Sequence, residues 1–157
     1  MKFVDIFCFD SIITELESQN RDDVILELIT SVDKVRKFGA KKRRDIYKSL
    51  IKRENEASTG LGKGVALPHV KHPAVKEVIM TVGQSSKGID FSSLDNQLVY
   101  TVILLVSPAD DPEAHLQVMQ KTFQHLQHER FLKFLRQAKS VNEIKQLFVE
   151  ADDSVFV

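Results

Sequence analysis

The segment LVYTVILLV, residues 98–106, constrains the fold of this chain most strongly, because apolar residues occupy both of its alternating faces. A strand that is apolar on both faces must be covered on both sides, which places it at the centre of a sheet. Helical patterns both precede and follow this segment in the sequence. We therefore expect an α/β fold, a three-layer α/β/α domain whose mixed sheet is flanked by helices on both faces.

Periodicity and capping residues predict the remaining elements. Helices are predicted at 20–32, 40–52, 110–126, 130–138 and from Ser140 onward, strands at 64–69, 77–84 and 98–106, and a turn at 92–97. Asn20 and Asp111 are the predicted N-caps of two of these helices, and Ser140 with Glu143 forms a capping box. The predicted apolar face of the helix at 110–126 consists of Leu116, Met119, Phe123 and Leu126. That of the helix from Ser140 onward consists of Val141, Ile144, Leu147 and Phe148.

Composition excludes several classes of function. The chain has 157 residues, which we interpret as one domain spanning 1–157, with 22 basic and 22 acidic side chains and no net charge. We therefore expect no nucleic-acid partner, and the basic run at 41–44 is interpreted as a solvated helix face. No apolar run approaches the roughly 20 residues of a membrane span, and the start does not resemble a signal peptide. The lone cysteine, Cys8, is interpreted as a packed apolar residue of a cytoplasmic protein.

The segment RENEASTGLGKGVALPHVKHP, residues 53–73, carries the chemistry. Three of the six glycines of the chain stand shortly before His69, and Arg53 lies at the predicted end of the preceding helix. An imidazole near neutral pH is a nucleophile, and Arg53 could meet a phosphoryl group on it with paired N–H donors. Glycine-loop amides could supply further donors. The residues alone leave a second interpretation open, a tight loop with a structural histidine.

The four other histidines are assigned from their local context. His125 and His128 have a spacing compatible with metal binding, but no third ligand stands nearby. We therefore interpret both as surface residues and expect no metal site. His72 receives no role. His115 lies near the positive end of a predicted helix, and from the residues alone it is interpreted as a surface residue of that helix.

The segment at 53–69 resembles the active-site segment of the IIA components of the fructose–mannitol group of the bacterial phosphotransferase system, which includes a nitrogen-regulatory branch. The shared pattern is Arg-Glu, a spacer, Ser-Thr-Gly-hydrophobic-Gly-x-Gly-Val-Ala and then Pro-His. The segment SPADDPEAHLQVMQKTFQHL resembles the second signature of the family, and the resemblance covers roughly residues 10–149. It implies that His69 is the phosphorylated residue, Arg53 the active-site arginine, and His115 a second active-site histidine.

Around these three residues we expect a supporting loop and a partner-binding rim. The residues expected to support the phosphate and the loop are Ser58, Thr59, Gly60, Gly62 and Gly64. The expected rim is apolar and positively charged, and consists of Leu61, Lys63, Val70 and Lys71. Many members of the family have a small residue and an arginine after the phosphorylated histidine. Lys71 stands at the place of this arginine and keeps its positive charge but not its planar fork of donors. We expect this difference to affect partner preference more than phosphorylation itself.

The resemblance implies a phosphocarrier that accepts a phosphoryl group on His69 from a phosphohistidine carrier protein, without a cofactor. These residues include neither a permease nor a cysteine-bearing IIB domain, so we expect a regulatory role that signals the state of the phosphotransferase system. One alternative is a stand-alone IIA component that passes phosphate to a IIB domain for fructose- or mannitol-type sugar uptake. Another is a binding module of the same fold that is never phosphorylated. A metal hydrolase is disfavoured, because no acidic residue stands at ligand spacing from His69.

Overall fold

A computed structural model describes residues 1–153 of the chain. Within them the α-helices are Phe3–Ile6 (α1), Arg21–Arg36 (α2), Ala40–Glu56 (α3), Pro112–Leu126 (α4), Glu129–Gln137 (α5) and Val141–Asp152 (α6). The strands are Gly60–Gly62 (β1), Val65–Ala66 (β2), His69–His72 (β3), Ile79–Ile89 (β4) and Val99–Pro108 (β5). A short 3-10 turn follows α1. No helix in this part of the chain is long and apolar enough to cross a bilayer.

Three helices begin at the predicted caps. The side chains of Asn20, Asp111 and Ser140 each accept a hydrogen bond from the backbone amide three residues further along the chain. These bonds satisfy an amide that the first turn of a helix leaves unpaired. At the start of α6 the Ser140 hydroxyl also donates to the Glu143 carboxylate at 3.2 Å. The predicted capping box therefore forms its N-cap bond. The Glu143 carboxylate accepts its bond from the Ser140 hydroxyl, where a complete capping box would use the Ser140 backbone amide.

The central strand of the mixed sheet is β5, which confirms the prediction from its sequence. It pairs antiparallel with β4 on one side and parallel with β2 and β3 on the other. The strand predicted at 64–69 is two strands, because Pro68 has no N–H group with which to continue the ladder. Its carbonyl still accepts a hydrogen bond from Leu105. The two short strands thus lie end to end along β5, with β2 beside residues 101–102 and β3 beside residues 105–108.

Helices cover both faces of this sheet. Ile103 and Leu105 of β5 belong to a core formed with α1, α4, α5 and α6. Val102, Leu104 and Val106, which alternate with them, belong to a second core formed with α2 and α3. All five side chains are at most 1 % exposed. The predicted three-layer α/β/α architecture is confirmed, and it places the ends of β3 and β5 between α3 and α4.

The helix faces show two departures from the periodic pattern. Leu116 and Val141, assigned to apolar faces, are 56 % and 38 % exposed. His125, interpreted as a surface residue, is only 3 % exposed, because α6 packs across this face of α4. Its Nδ1 lies 2.9 Å from the Lys121 carbonyl oxygen, and its Nε2 lies 3.2 Å from the Ala151 carbonyl oxygen. The surface interpretation of His125 is therefore wrong. Cys8 is buried, in agreement with its predicted packing role.

Candidate functional site

His69 is the first residue of β3, and its ring is held by the backbone just before it. Its Nδ1 lies 2.7 Å from the carbonyl oxygen of Leu67. A carbonyl oxygen can only accept, so Nδ1 carries the proton and donates it to this bond. The neutral ring is thereby left with its lone pair on Nε2, which is the nucleophilic nitrogen of His69.

A cavity of about 680 Å³ opens at His69. His115 and Arg53 line it together with His69, so the three predicted catalytic residues come together from α4, α3 and β3. The ring centroids of the two histidines are 5.6 Å apart. The residues that extend the cavity wall are Val70, Lys71, Leu116, Met119 and Phe123. The cavity therefore combines two imidazoles and positive charge with an apolar wall.

Arg53 lies in the last turn of α3, where its guanidinium group faces the cavity. Nη1 donates to the carbonyl oxygen of Ala57 at 2.9 Å, which orients the side chain. Within residues 1–153 this is the one hydrogen bond that the guanidinium group makes. Arginine carries five N–H donors, so most of its donors remain available to an anion in the cavity.

His115 lies in the first turn of α4 and is 8 % exposed. Its Nδ1 is 2.7 Å from the hydroxyl oxygen of Ser107, at the end of β5. Burial, followed by the positive charges of His69 and Lys71, lowers the pKa of His115 to about 4. The ring is therefore neutral at neutral pH. The surface position inferred from the residues alone is wrong, and the position implied by the family resemblance agrees with the structure.

The environment of His69 also favours its neutral form. Burial is the largest effect and lowers the pKa of His69 below 6.5. The positive charges of Arg53 and Lys71 lower it further, while the Leu67 carbonyl and the carboxylate of Glu54 oppose them. At neutral pH His69 therefore presents an unprotonated Nε2.

The glycine loop does not reach this cavity. Gly62 at the end of β1 has a positive φ angle of 88°, and Lys63 and Gly64, which form the turn to β2, have φ angles of 57° and 79°. Lys63 and Gly64 line a second cavity of about 490 Å³. Because β2 and β3 pair with positions of β5 that are four residues apart, about 13 Å of strand separates this turn from His69. The structure therefore does not bring Lys63 to a common rim with Lys71.

Ser58 and Gly60 support the loop by packing against the segment that leads to β5. The Ser58 hydroxyl donates to the carbonyl of Phe91 and accepts from the amide of Gly60 at 3.0 Å. A Cβ atom at Gly60 would lie 2.9 Å from the Cα atom of Ser93, so only glycine fits there. Leu61 is half-buried against the core formed with α4 to α6. Of the predicted rim, only Val70 and Lys71 line the cavity at His69, and α4 supplies apolar residues that the rim prediction omitted.

Glu54 is a supporting residue that sequence reasoning missed. It is 2 % exposed, and its two carboxylate oxygens accept hydrogen bonds from the amide and the hydroxyl of Thr59, both at 2.6 Å. The Thr59 carbonyl in turn accepts from the amide of Leu67, whose own carbonyl holds the ring of His69. A continuous series of hydrogen bonds thus runs from the end of α3 to His69. The Arg-Glu pair in the sequence was the signal for it.

Glu54→Ala should destabilise the fold, because it leaves the buried amide and hydroxyl of Thr59 without an acceptor. We expect the free energy of unfolding to fall by about 2–4 kcal/mol. Urea denaturation of both proteins measures this difference. Glu56→Ala, at an exposed position of the same helix, is the control and should change the free energy by less than about 0.5 kcal/mol. Equal losses in the two variants would contradict this role of Glu54.

Lys71→Glu should raise the pKa of both His69 and His115, because it removes a positive charge that lowers both values and adds a negative one. A histidine with a raised pKa becomes protonated at a higher pH as the pH is lowered. On lowering the pH, the variant should therefore lose phosphoryl acceptance before the wild type does. NMR titration of the histidine rings measures both values. Lys63→Glu is the matched control and should leave both unchanged. Equal shifts in the two variants would contradict the placement of these lysines.

The fold and this arrangement define a class of protein, an α/β/α domain in which two histidines and an arginine line one cavity. Within residues 1–153 no group of three or more His, Cys, Asp or Glu side chains could hold a metal ion. The chain belongs to the family described as "Phosphoenolpyruvate-dependent sugar phosphotransferase system, EIIA 2", which matches residues 5–151.

Two curated relatives illustrate the branches of this family. The chain is 30% identical over 153 residues to the PTS system fructose-specific EIIABC component of Bacillus subtilis, covering 97% of the chain but 24% of that protein. It is 26% identical over 144 residues to the nitrogen regulatory protein of Bradyrhizobium diazoefficiens, covering 92% of each. The chain thus spans about a quarter of the first relative and most of the second.

Solved structures share the fold. The nitrogen regulatory protein IIA-Ntr from Neisseria meningitidis superposes with a TM-score of 0.83 at 24% identity, over 92% of this chain and 97% of that one. Enzyme IIAMTL of Escherichia coli, solved in complex with phosphorylated enzyme IIBMTL, superposes with a TM-score of 0.75 at 18% identity. That match covers 92% of this chain and 99% of the other.

Proposed function

We propose that the chain is a phosphocarrier and that Nε2 of His69 accepts a phosphoryl group from a phosphohistidine carrier protein. The observation that carries this proposal is the hydrogen bond from Nδ1 of His69 to the Leu67 carbonyl, which leaves an unprotonated Nε2 at a cavity that Arg53 also lines. In the transfer, a bond forms between Nε2 and phosphorus while the phosphorus–nitrogen bond of the donor breaks. The bonding electron pair leaves with the donor imidazole, and His69 keeps its proton on Nδ1.

The groups around His69 stabilise both the ring of His69 and the transferring phosphoryl group. The phosphorylated ring of His69 is cationic, and the Leu67 carbonyl and the nearby Glu54 carboxylate stabilise a positive ring. The negative charge of the transferring group lies on its peripheral oxygens, where catalysis consists of positioning and charge stabilisation. Arg53 supplies N–H donors there, and Lys71 supplies positive charge. The step uses no cofactor, because the phosphoryl group arrives already activated on the donor.

Within the family we infer the regulatory, nitrogen-type role, in which the phosphorylation state of His69 is a signal. The match to the nitrogen regulatory protein of Bradyrhizobium diazoefficiens, 26% identical over 144 residues, supports it. The TM-score of 0.83 to IIA-Ntr, higher than that to enzyme IIAMTL, supports it at the level of the fold. The second candidate is a sugar-type IIA component that transfers phosphate to a IIB domain, which the 30% identity to a fructose-specific component favours.

We propose that the chain acts as a single IIA unit in the cytoplasm, and that its partners dock over the cavity at His69. Leu116 is 56 % exposed there, and Val70, Met119 and Phe123 extend the apolar wall. Lys71 adds positive charge, which would attract an acidic patch on the donor and speed the encounter. A docked partner would exclude water from both histidines of the transfer.

Incubation with the phosphorylated carrier protein, followed by intact-mass measurement, tests the phosphocarrier function. We expect a mass gain of one phosphoryl group that acid removes, and no gain would contradict the proposal. The phosphorylated chain is then mixed with a fructose- or mannitol-type IIB domain. The regulatory role predicts transfer to IIB that is much slower than acceptance from the carrier. Transfer to IIB at the rate of acceptance would instead establish the sugar-type role.

A further inference from the structure

Ser107 carries a buried hydroxyl group to which the proposed transfer assigns no role. It is 0 % exposed near the end of β5, and its Oγ lies 2.7 Å from Nδ1 of His115. Among the residues that the structure describes, this is the one hydrogen bond of the Ser107 hydroxyl. The buried hydroxyl and the imidazole that lines the cavity are therefore each other's partners.

The direction of this bond follows from the protons that have to be satisfied. If Nδ1 of His115 carried the ring proton, the buried O–H group of Ser107 would have no acceptor within residues 1–153. A buried donor without an acceptor is unfavourable. If the Ser107 O–H instead donates to Nδ1, its proton is satisfied and the proton of the neutral ring must be on Nε2. The second arrangement leaves neither group unpaired.

Because His115 is neutral, it matters which of its two ring nitrogens carries the proton. A protonated imidazole carries N–H groups on both nitrogens and would donate to a phosphoryl oxygen whatever its partner. The pKa of His115 is lowered to about 4, so at neutral pH the ring has one N–H group. Its tautomer then decides whether Nε2 offers the cavity a donor or a lone pair, and a lone pair would repel the oxygens of a phosphoryl group.

We propose that Ser107 is a positioning residue that holds His115 in its Nε2–H tautomer, so that His115 donates a hydrogen bond to the phosphoryl group on His69. The bond to a phosphoryl group rests on the proposed function, whereas the tautomer does not. The two imidazoles then have opposite tautomers, set by different partners. The Leu67 carbonyl fixes the proton of His69 on Nδ1 and makes its Nε2 a nucleophile, and the Ser107 hydroxyl makes Nε2 of His115 a donor.

Nitrogen-15 NMR of histidine-labelled protein near neutral pH tests the tautomer directly. We expect the Nε2–H pattern for His115 in the wild type, a shift toward Nδ1–H in Ser107→Ala, and return to the wild-type pattern in Ser107→Thr. Thr101→Ala, which removes a second buried hydroxyl of β5 far from the ring, is the matched control and should leave the pattern unchanged. A wild-type His115 in the Nδ1–H form would overturn the inference.

A double-mutant cycle tests the consequence for transfer. Ser107→Ala should slow phosphoryl transfer to His69 on the order of 10-fold, since it removes part of the benefit of a donor that is worth on the order of 100-fold. In a His115→Ala background the same change should slow it no further, because Ser107 acts through His115. Equal slowing in both backgrounds would overturn the inference. Failure of the wild type to accept a phosphoryl group would contradict the proposed function, and the NMR result would still decide the tautomer.

Discussion

His69→Ala should abolish acid-labile phosphorylation of this chain by a phosphorylated histidine carrier protein. The variant loses Nε2, the lone-pair nitrogen of the cavity, and His115 cannot replace it while its own Nε2 carries a proton. The ring of His69 is half-buried and makes one hydrogen bond to the described residues 1–153, so the variant should remain folded. Intact-mass measurement before and after acid treatment gives the phosphorylated fraction, and circular dichroism verifies the fold.

His72→Ala is the matched control for this result. His72 lies on the same strand, its Nδ1 accepts a hydrogen bond from the amide of Ala74 at 3.0 Å, and it does not line the cavity. The control should keep the wild-type extent of phosphorylation. Phosphate that persists in His69→Ala, or that disappears in His72→Ala, would show that the acceptor has been assigned to the wrong residue.

Arg53→Ala and His115→Ala should each slow acceptance of the phosphoryl group on the order of 100-fold without preventing it, because each removes one donor to the developing charge. Arg53→Lys should fall between the wild type and the alanine variant, since lysine keeps the charge but loses the paired donors. Rapid-quench measurement of the phosphorylated fraction against time gives these rates.

The controls for these variants are Arg44→Ala and His128→Ala. Arg44 is exposed on α3 and His128 precedes α5, and neither lines the cavity at His69. Both controls should transfer at the wild-type rate. Wild-type rates in Arg53→Ala and His115→Ala would contradict the charge-stabilising roles of these two residues.

The architecture could be predicted from the sequence because its main signals are local. The apolar residues on both faces of 98–106 required cover on both sides of β5, and the caps at Asn20, Asp111 and Ser140 determined where three helices begin. Tertiary packing decided the rest. His125 is buried only because α6 crosses α4, and Leu116 is exposed because its part of α4 borders the cavity instead of the core. Periodicity along one helix contains no information about which neighbour packs on it.

The grouping of the candidate site residues was predictable where spacing in the sequence corresponds to proximity in space. The residues alone pointed to His69 and Arg53, and the family resemblance added His115. Lys63 was wrongly assigned to the rim at His69 because it stands only six residues before it in the sequence. The extended chain from β2 to β3 separates the two residues along β5. The roles of Glu54 and Ser107 depend on hydrogen bonds between separate elements, and no local pattern specifies them.

The nitrogen atom that carries the phosphoryl group tests the central claim most directly. Heteronuclear NMR of the phosphorylated, nitrogen-15-labelled chain identifies this atom through its coupling to phosphorus-31. Because the Leu67 carbonyl holds the proton of His69 on Nδ1, we predict a single phosphorylated nitrogen, Nε2 of His69. Phosphorus coupled to Nδ1 of His69, or to either nitrogen of His72 or His115, would contradict the account.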